Sequence, residues 1–225
     1  MKFLENIKPL CDADVYFIGK KLNLNNTLGL FFDYEELNKD EKVAIEKFSN
    51  DYCIENKILA SNFFGETEVS EEYAEIVKFF CSAEYCICMS TINYCKKTSE
   101  RRKLYYKDNK WLLCEYISDS NFVVAELENK DEAEKYFFGS FNDLDCEELI
   151  EVNYKENYDF ETLKNVALNV AYISEFYMNN EGKFVTKENM YARLKDNKTA
   201  SLKATEDGMI NLLEDDKILS IDWEA

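Results

Sequence analysis

"CSAEYCICMSTINYC", residues 81 to 95, holds four of the eight cysteines in the chain. Alternate residues of a β-strand point to opposite faces of its sheet. Cys86 and Cys88 would therefore share one face, while Tyr85 and Ile87 would lie on the other. Both faces are apolar, which is typical of a central strand covered on both sides. The stretch predicts the middle of a sheet.

The same cysteines raise the question of a metal or redox site. Structural zinc sites use paired ligands presented on turns, whereas the spacings from Cys81 are five, two and seven residues with no glycine between them. The chain also lacks histidine, the commonest metal ligand. The pattern favours buried, reduced thiols that act as small apolar side chains, over the alternatives of a metal site or a redox pair. We predict no metal and no cofactor.

The composition narrows the classes of function. The chain has 27 basic and 45 acidic residues and a net charge of −18, so its field repels nucleic-acid phosphates and anionic lipid headgroups. Without histidine, the usual serine and cysteine triads are excluded. No glycine-rich phosphate loop or nucleophile elbow is present. We therefore predict a protein that is not an enzyme, has no catalytic residues and binds no nucleic acid.

The beginning of the chain bears on localisation. The first ten residues, "MKFLENIKPL", carry Glu5 and Lys8 where a signal peptide needs an uninterrupted apolar core. No later window approaches the length of a membrane span. We expect a soluble, cytoplasmic protein without membrane insertion.

The first half predicts helices followed by a meander. Asp14 to Leu22 fits a strand or a short buried helix. A helix follows from Lys39 to Asn56, with Val43, Ala44, Phe48 and Tyr52 on one face. The next helix is capped by Ser70 and has Tyr73, Ile76, Val77 and Phe80 on one face. Four antiparallel strands within 84 to 127 come next, and then a short helix with a capping box at Asn129 and Glu132.

The second half predicts the same order again. Its first predicted elements are a strand at Glu148 to Tyr154 and a long helix capped by Asp159. The apolar stripe of this helix is Phe160, Leu163, Val166, Ala167, Val170, Ile173 and Tyr177. A helix from Thr186 to Asp196 follows, and then a hairpin with Asp207 and Gly208 in a type I′ turn. The order predicts an α+β fold of two similar halves, each an antiparallel sheet with packed helices in a quasi-twofold arrangement. The halves are residues 1–142 and 143–225, joined in one compact body.

One basic segment stands out in this acidic chain. "KKTSERRK", residues 96 to 103, carries five positive charges and one negative charge at a predicted strand connection. It fits a solvated hairpin tip that limits association between sheet edges. The hairpin tip is the favoured interpretation, and the alternative is a contact surface for an acidic partner, since exposed loops often carry recognition.

Three segments together resemble a known family. They are "LNLNNTLGLFFDYEELNKDEKVAIEKFSNDYCIENKILA" at 22–60, "VSEEYAEIVKFFCSAEYCICMS" at 69–90, and the hairpins "RRKLYYKDNKWLLCEYISDSNFVVAEL" at 101–127 with the short helix "EAEKYFF". Their order resembles the EspG-like proteins associated with ESX secretion and their relatives in Gram-positive type VII secretion loci. The resemblance covers residues 14 to 223 as a pattern of segments.

This resemblance implies a cytosolic chaperone that holds helical-hairpin export substrates, with a hairpin loop of the first half in its binding surface. By position, the partner-binding residues would be Lys96, Arg101, Arg102 and Lys103. We therefore expect a chaperone or accessory factor for a secreted α-helical hairpin protein. The alternative is an immunity protein that occludes a toxin, for which the acidity would steer association with a basic target.

Overall fold

The computed structural model describes residues 1–4, 6–24, 28–30, 32, 34–61, 66–142, 157–179, 181, 183–214 and 219–221. The helices are α1 (Asp12–Lys21), α2 (Lys39–Glu55), α3 (Glu71–Cys81), α4 (Lys130–Asn142) and α5 (Phe160–Leu163). The strands are β1 (Lys2–Phe3), β2 (Leu10–Cys11), β3 (Leu59–Ser61), β4 (Thr67–Val69), β5 (Tyr85–Asn93), β6 (Thr98–Lys107), β7 (Lys110–Tyr116), β8 (Asn121–Leu127), β9 (Asn157–Tyr158), β10 (Ala167–Met178), β11 (Phe184–Leu194), β12 (Thr199–Ala204) and β13 (Ile210–Glu214).

One antiparallel sheet of eleven strands organises the described residues. Its order is β1-β8-β7-β6-β5-β10-β11-β12-β13-β9, and β2 also pairs with β8. The predicted meander is β5 to β8. β5 pairs with β6 on one side and, from Tyr85↔Tyr177 to Asn93↔Asn169, with β10 on the other. The α+β class is therefore confirmed, and β5 lies at the centre of the sheet.

β5 is covered on both faces along its first half, as its sequence predicted. On one face, Cys86 and Cys88 pack in a cluster with residues of α1 and α3, such as Ile18 and Phe80. On the opposite face, Ile87 packs with the aromatic residues of α4. The cysteines of this strand are thus part of the apolar core.

Gly29 explains how the chain passes closely over these cysteines. Its φ of +65° lies in the left-handed region that glycine adopts without strain. A Cβ atom at this position would lie 2.6 Å from the Cys86 sulfur and 3.0 Å from the Cys88 sulfur. The glycine of the "LGL" segment is therefore required by both backbone conformation and space.

Two predicted helices of the second half are strands. The apolar stripe from Leu163 to Tyr177 belongs to the four-residue helix α5 followed by β10, and the segment predicted as a helix from Thr186 to Asp196 is mostly β11. β10 pairs with neighbours on both sides, and much of it is buried on both faces. In such a strand almost every position is apolar, so helical spacing occurs by coincidence. The predicted strand at Glu148 to Tyr154 lies outside the described residues.

The helix boundaries in the first half agree with the sequence, whereas one inner face does not. Residues 14–21 form most of α1, so the helical alternative is correct. α2 spans the predicted residues, but Val43, Ala44 and Phe48 face solvent, while Ser49 and Cys53 are buried. Of the predicted inner face of α2, Tyr52 does pack inward: its ring is half-buried, and its Oη donates to the carbonyl of Pro9. The rest of that prediction is wrong, because Ser49 and Cys53 are the fully buried residues of the helix.

The predicted caps and turns are mostly in place. Asn129 Oδ1 accepts from Glu132 N–H at 2.9 Å, and Asp159 caps α5. Ser70 occupies the N-cap of α3, but its side chain makes no capping hydrogen bond. The β12–β13 hairpin exists, but of Asp207 and Gly208 only Gly208 has a positive φ. Its turn is therefore not type I′, which needs a positive φ at both central residues.

Candidate partner-binding surface

The four predicted binding residues do not share one environment. The connection between β5 and β6 is only residues 94–97, so Lys96 lies in the turn while the other three lie on β6. Lys96 is exposed, and its N–H donates to Asn93 Oδ1 at 2.8 Å. Alternation along β6 then places Arg101 and Lys103 on one face of the sheet and Arg102 on the other.

Lys103 is buried in the core. Only 1% of this residue is exposed, and its Nζ lies 2.6 Å from Asp12 Oδ1. Tyr116 Oη donates to the same carboxylate at 3.2 Å. Asp12 is the first residue of α1, so this buried ion pair fixes the start of that helix on the sheet. Lys103 therefore has a structural role and does not reach the surface.

Arg102 joins the sheet to α4 on the opposite face. Its guanidinium donates to the carbonyl of Tyr136 and to Ser140 Oγ, each at 3.0 Å. It also pairs with Glu100 and Glu115, each at 3.2 Å. These contacts satisfy most of the donors of the side chain. Of the four predicted residues, Lys96 and Arg101 remain at the surface.

Arg101 lines a groove beside the end of the β5–β6 hairpin. The groove has a volume of about 260 Å³, and its lining is Ser90, Thr91, Ile92, Ser99, Glu100, Arg101, Tyr116, Ile117, Ser118 and Asp119. The Arg101 guanidinium carbon lies 5.3 Å from the centre of the Tyr116 ring, and its Nη1 donates to the carbonyl of Asp119 at 3.4 Å. The groove thus combines one oriented cation with the exposed apolar side chains Ile92 and Ile117. We call it the hairpin groove.

The face of the sheet continues from the hairpin groove onto β10 and β11. Ser90 pairs with Arg101 on one side and with Tyr172 on the other, so all three point to the same face. On this face Tyr172 is 39% exposed, Met178 51% and Phe184 55%, and the half-buried Phe176 ring lies 6.4 Å from that of Phe184. We call Tyr172, Phe176, Met178 and Phe184 the open strip.

The open strip is apolar with one acidic neighbour. Glu188 is exposed and pairs across the strands with Ser174, between Tyr172 and Phe176. Partial burial, together with a hydrogen bond to Glu188, raises the pKa of Tyr172. The phenol is therefore a neutral donor at physiological pH. Exposed apolar side chains grouped on one sheet face mark a surface that another molecule can cover.

Sequence reasoning missed the open strip because it placed Tyr172 and Phe176 in a long helix and Phe184 in the segment before a second helix. The antiparallel pairing of β10 with β11 is what brings these side chains together on one sheet face. A signal was available: the run "VAYISEFYM" from 170 to 178 is rich in β-branched and aromatic residues, which favour strands.

The buried cysteines behave as apolar core side chains. Burial, followed by a hydrogen bond to Cys88, raises the pKa of the Cys86 thiol. Burial likewise raises the pKa of Cys53 to about 12. Within the described residues, no three histidine, cysteine or acidic side chains could hold a metal ion together. Protonated buried thiols are poor nucleophiles and poor metal ligands.

These environments predict an order of thiol alkylation. Among the seven described cysteines, exposed Cys95 should react with iodoacetamide at least about tenfold faster than the buried Cys86, Cys88 and Cys114. Peptide mass spectrometry over a time course of labelling measures these rates, and urea-denatured protein serves as the control in which the rates converge. Labelling of Cys86 as fast as Cys95 in the folded protein would contradict the buried arrangement.

Comparison with known proteins identifies the fold. No protein-family model and no curated protein matches the sequence. A solved structure of the Mycobacterium tuberculosis type VII secretion system chaperone EspG5, in complex with a PE25–PPE41 dimer, matches with a TM-score of 0.54 at 6% sequence identity. The match covers 92% of this chain and 90% of the chaperone chain. The two chains share a fold.

The structure also bears on membrane association. Among the described residues, no helix combines the length and the apolar character needed to cross a bilayer.

Proposed function

We propose that this protein is a non-enzymatic, cytoplasmic binding protein that acts as a chaperone or accessory factor for a secreted α-helical hairpin protein. The observation that carries the proposal is the open strip beside the hairpin groove, an apolar sheet face flanked by Arg101. The fold shared with EspG5, a chaperone solved in complex with other proteins, supports it. The comparison gives no support to the alternative of an immunity protein.

The dimensions of the open strip suit a helix. From Tyr172 to Met178 the strand advances about 20 Å at 3.3 Å per residue. An α-helix covers this distance in about 13 residues, or nearly four turns. An amphipathic helix could lay its apolar stripe along Tyr172 and Phe184, and Arg101 and Lys96 would lie at one end for acidic groups. Recognition of this kind rests on apolar contact and charge complementarity.

We further propose that the fold consists of two similar halves. In the eleven-stranded sheet, β5 and β10 are neighbours, the other described strands of residues 1–142 lie beyond β5, and the other described strands of 143–225 lie beyond β10. β3 and β4 pair separately in a two-stranded sheet. This arrangement supports two halves in a quasi-twofold relation within one body. The described residues of the second half contain a single short helix, α5, so the likeness of the halves rests on their strands.

Co-expression tests the proposed function. When the chain is produced together with helical-hairpin proteins encoded at its own locus, we expect one of them to co-purify in a complex of fixed stoichiometry. Light scattering on the purified complex gives that stoichiometry. A helical protein of similar size from an unrelated locus is the control. Recovery of the chain alone with every such candidate would contradict the proposal.

A further inference from the structure

α2 presents three large apolar side chains to solvent. Val43 is 59% exposed, Phe48 69% and Ile54 47%, whereas the small side chains of Ser49 and Cys53 form the buried side of the helix. Removing such apolar side chains from water is favourable. A helix with this orientation gains stability when its outer face is covered.

The outward face has an ordered pattern. Ala44, Lys47, Asp51 and Ile54 are all exposed. Their spacing of three or four residues places them in one line along the helix. Phe48 and Val43 flank this line. The line therefore has a cation and an anion at its middle and an apolar residue at each end.

We propose that this face of α2 binds the same face of a second copy of the chain in an antiparallel, twofold arrangement. If the axis passes level with Ser49, Lys47 of each copy faces Asp51 of the other, and Ala44 faces Ile54. The two Phe48 rings then lie near the axis. Such an interface is isologous, because each contact occurs twice.

The order of the charges along α2 favours a second copy of the chain as the partner and an antiparallel orientation of the two helices. Lys47 precedes Asp51 by four residues, so antiparallel pairing joins opposite charges twice, whereas parallel pairing in register would join like charges. Asp40, near the start of α2, lies level with Lys57 of the second copy, just beyond the end of its helix. These reciprocal pairs offset part of the repulsion between two chains that each carry a net charge of −18.

This surface is separate from the candidate partner-binding surface. α2 contacts α1, and it shares no residue with the hairpin groove or the open strip. The proposal therefore stands or falls independently of the proposed function.

Sedimentation equilibrium of the full chain over a range of concentrations tests the pairing. Wild type should dimerise reversibly, and Lys47→Glu and Asp51→Lys should each weaken the dimer by at least about tenfold, because each places like charges together twice. The double variant Lys47→Glu/Asp51→Lys should restore an affinity close to that of wild type. Ile117→Ser, at an exposed isoleucine of the hairpin groove, is the control and should leave dimerisation unchanged.

Circular dichroism confirms that each variant is folded, and recovery in the double variant itself excludes a folding defect at either position. A wild-type chain that stays monomeric at all concentrations would overturn the proposal. A dimer that is insensitive to both single reversals would also overturn it, as would a double variant that stays as weak as the single ones. The last two results would point to another interface or to a different partner of α2.

Discussion

Lys103→Met should lower the free energy of unfolding by about 3–5 kcal/mol, the cost of breaking a buried ion pair by removing one partner. Lys103 is 1% exposed and lies 2.6 Å from Asp12. Without the ammonium group, the carboxylate at the start of α1 stays in a largely apolar environment and keeps Tyr116 as a donor. Urea denaturation followed by circular dichroism measures the change.

Two variants separate the ion pair from general effects of substitution on β6. Arg101→Met changes an exposed cation on the same strand and the same face, and it should cost no more than about 0.5 kcal/mol. Asp12→Asn/Lys103→Met removes both charges, so its loss should be smaller than that of Lys103→Met alone. Equal losses for Lys103→Met and Arg101→Met would show that the ion pair contributes little.

Tyr172→Asp/Phe184→Asp should weaken binding of the helical partner by at least about a hundredfold. Aromatic side chains near the centre of an interface carry a large part of its binding energy. The introduced carboxylates would also have to be desolvated in an apolar contact. Both residues are exposed in the free protein, so the fold should tolerate the change.

Phe3→Asp/Leu213→Asp is the matched control for this prediction. It introduces the same two negative charges at exposed apolar side chains on β1 and β13, outside the open strip and outside the proposed α2 interface. Partner affinity, measured by isothermal titration calorimetry, should stay within about threefold of wild type. An equal loss of affinity for the two variants would assign the effect to added negative charge rather than to the open strip.

The centre of the fold could be predicted from sequence because its pattern is strict. In β5 both faces are apolar, and only a strand with two covered faces explains Cys86 and Ile87 at adjacent positions. The turn between β6 and β7, at Asp108 and Asn109, has a positive φ at both residues, and these residue types tolerate that conformation.

The second half could not be predicted in the same way because the apolar residues of its strands match both the helical and the strand spacing. β10 alternates between two buried faces, so Ala167, Val170 and Ile173 fit a helical stripe as well as a strand. The pairing of β10 with β5 decides between them. That contact joins residues far apart in the chain, and local patterns do not contain it.

The candidate site was predicted in part for a related reason. The basic segment is exposed only near the end of the hairpin. Which of its residues are exposed depends on where β6 begins. Sequence placed Arg101 and Lys103 in the same loop, whereas the register with β5 and β7 buries Lys103 beneath α1 and leaves Arg101 at the surface. A buried lysine is rare enough that composition alone favours the exposed interpretation.

Hydroxyl-radical footprinting of the chain, free and in its co-purified complex, directly tests whether the partner binds at the open strip. Tyr172, Met178 and Phe184 carry aromatic rings or a thioether, which the radical oxidises when they are exposed. All three should be protected from oxidation in the complex, while oxidation of Phe48 should be unchanged. Oxidation of these three residues at equal rates in the free chain and in the complex would contradict binding at the open strip.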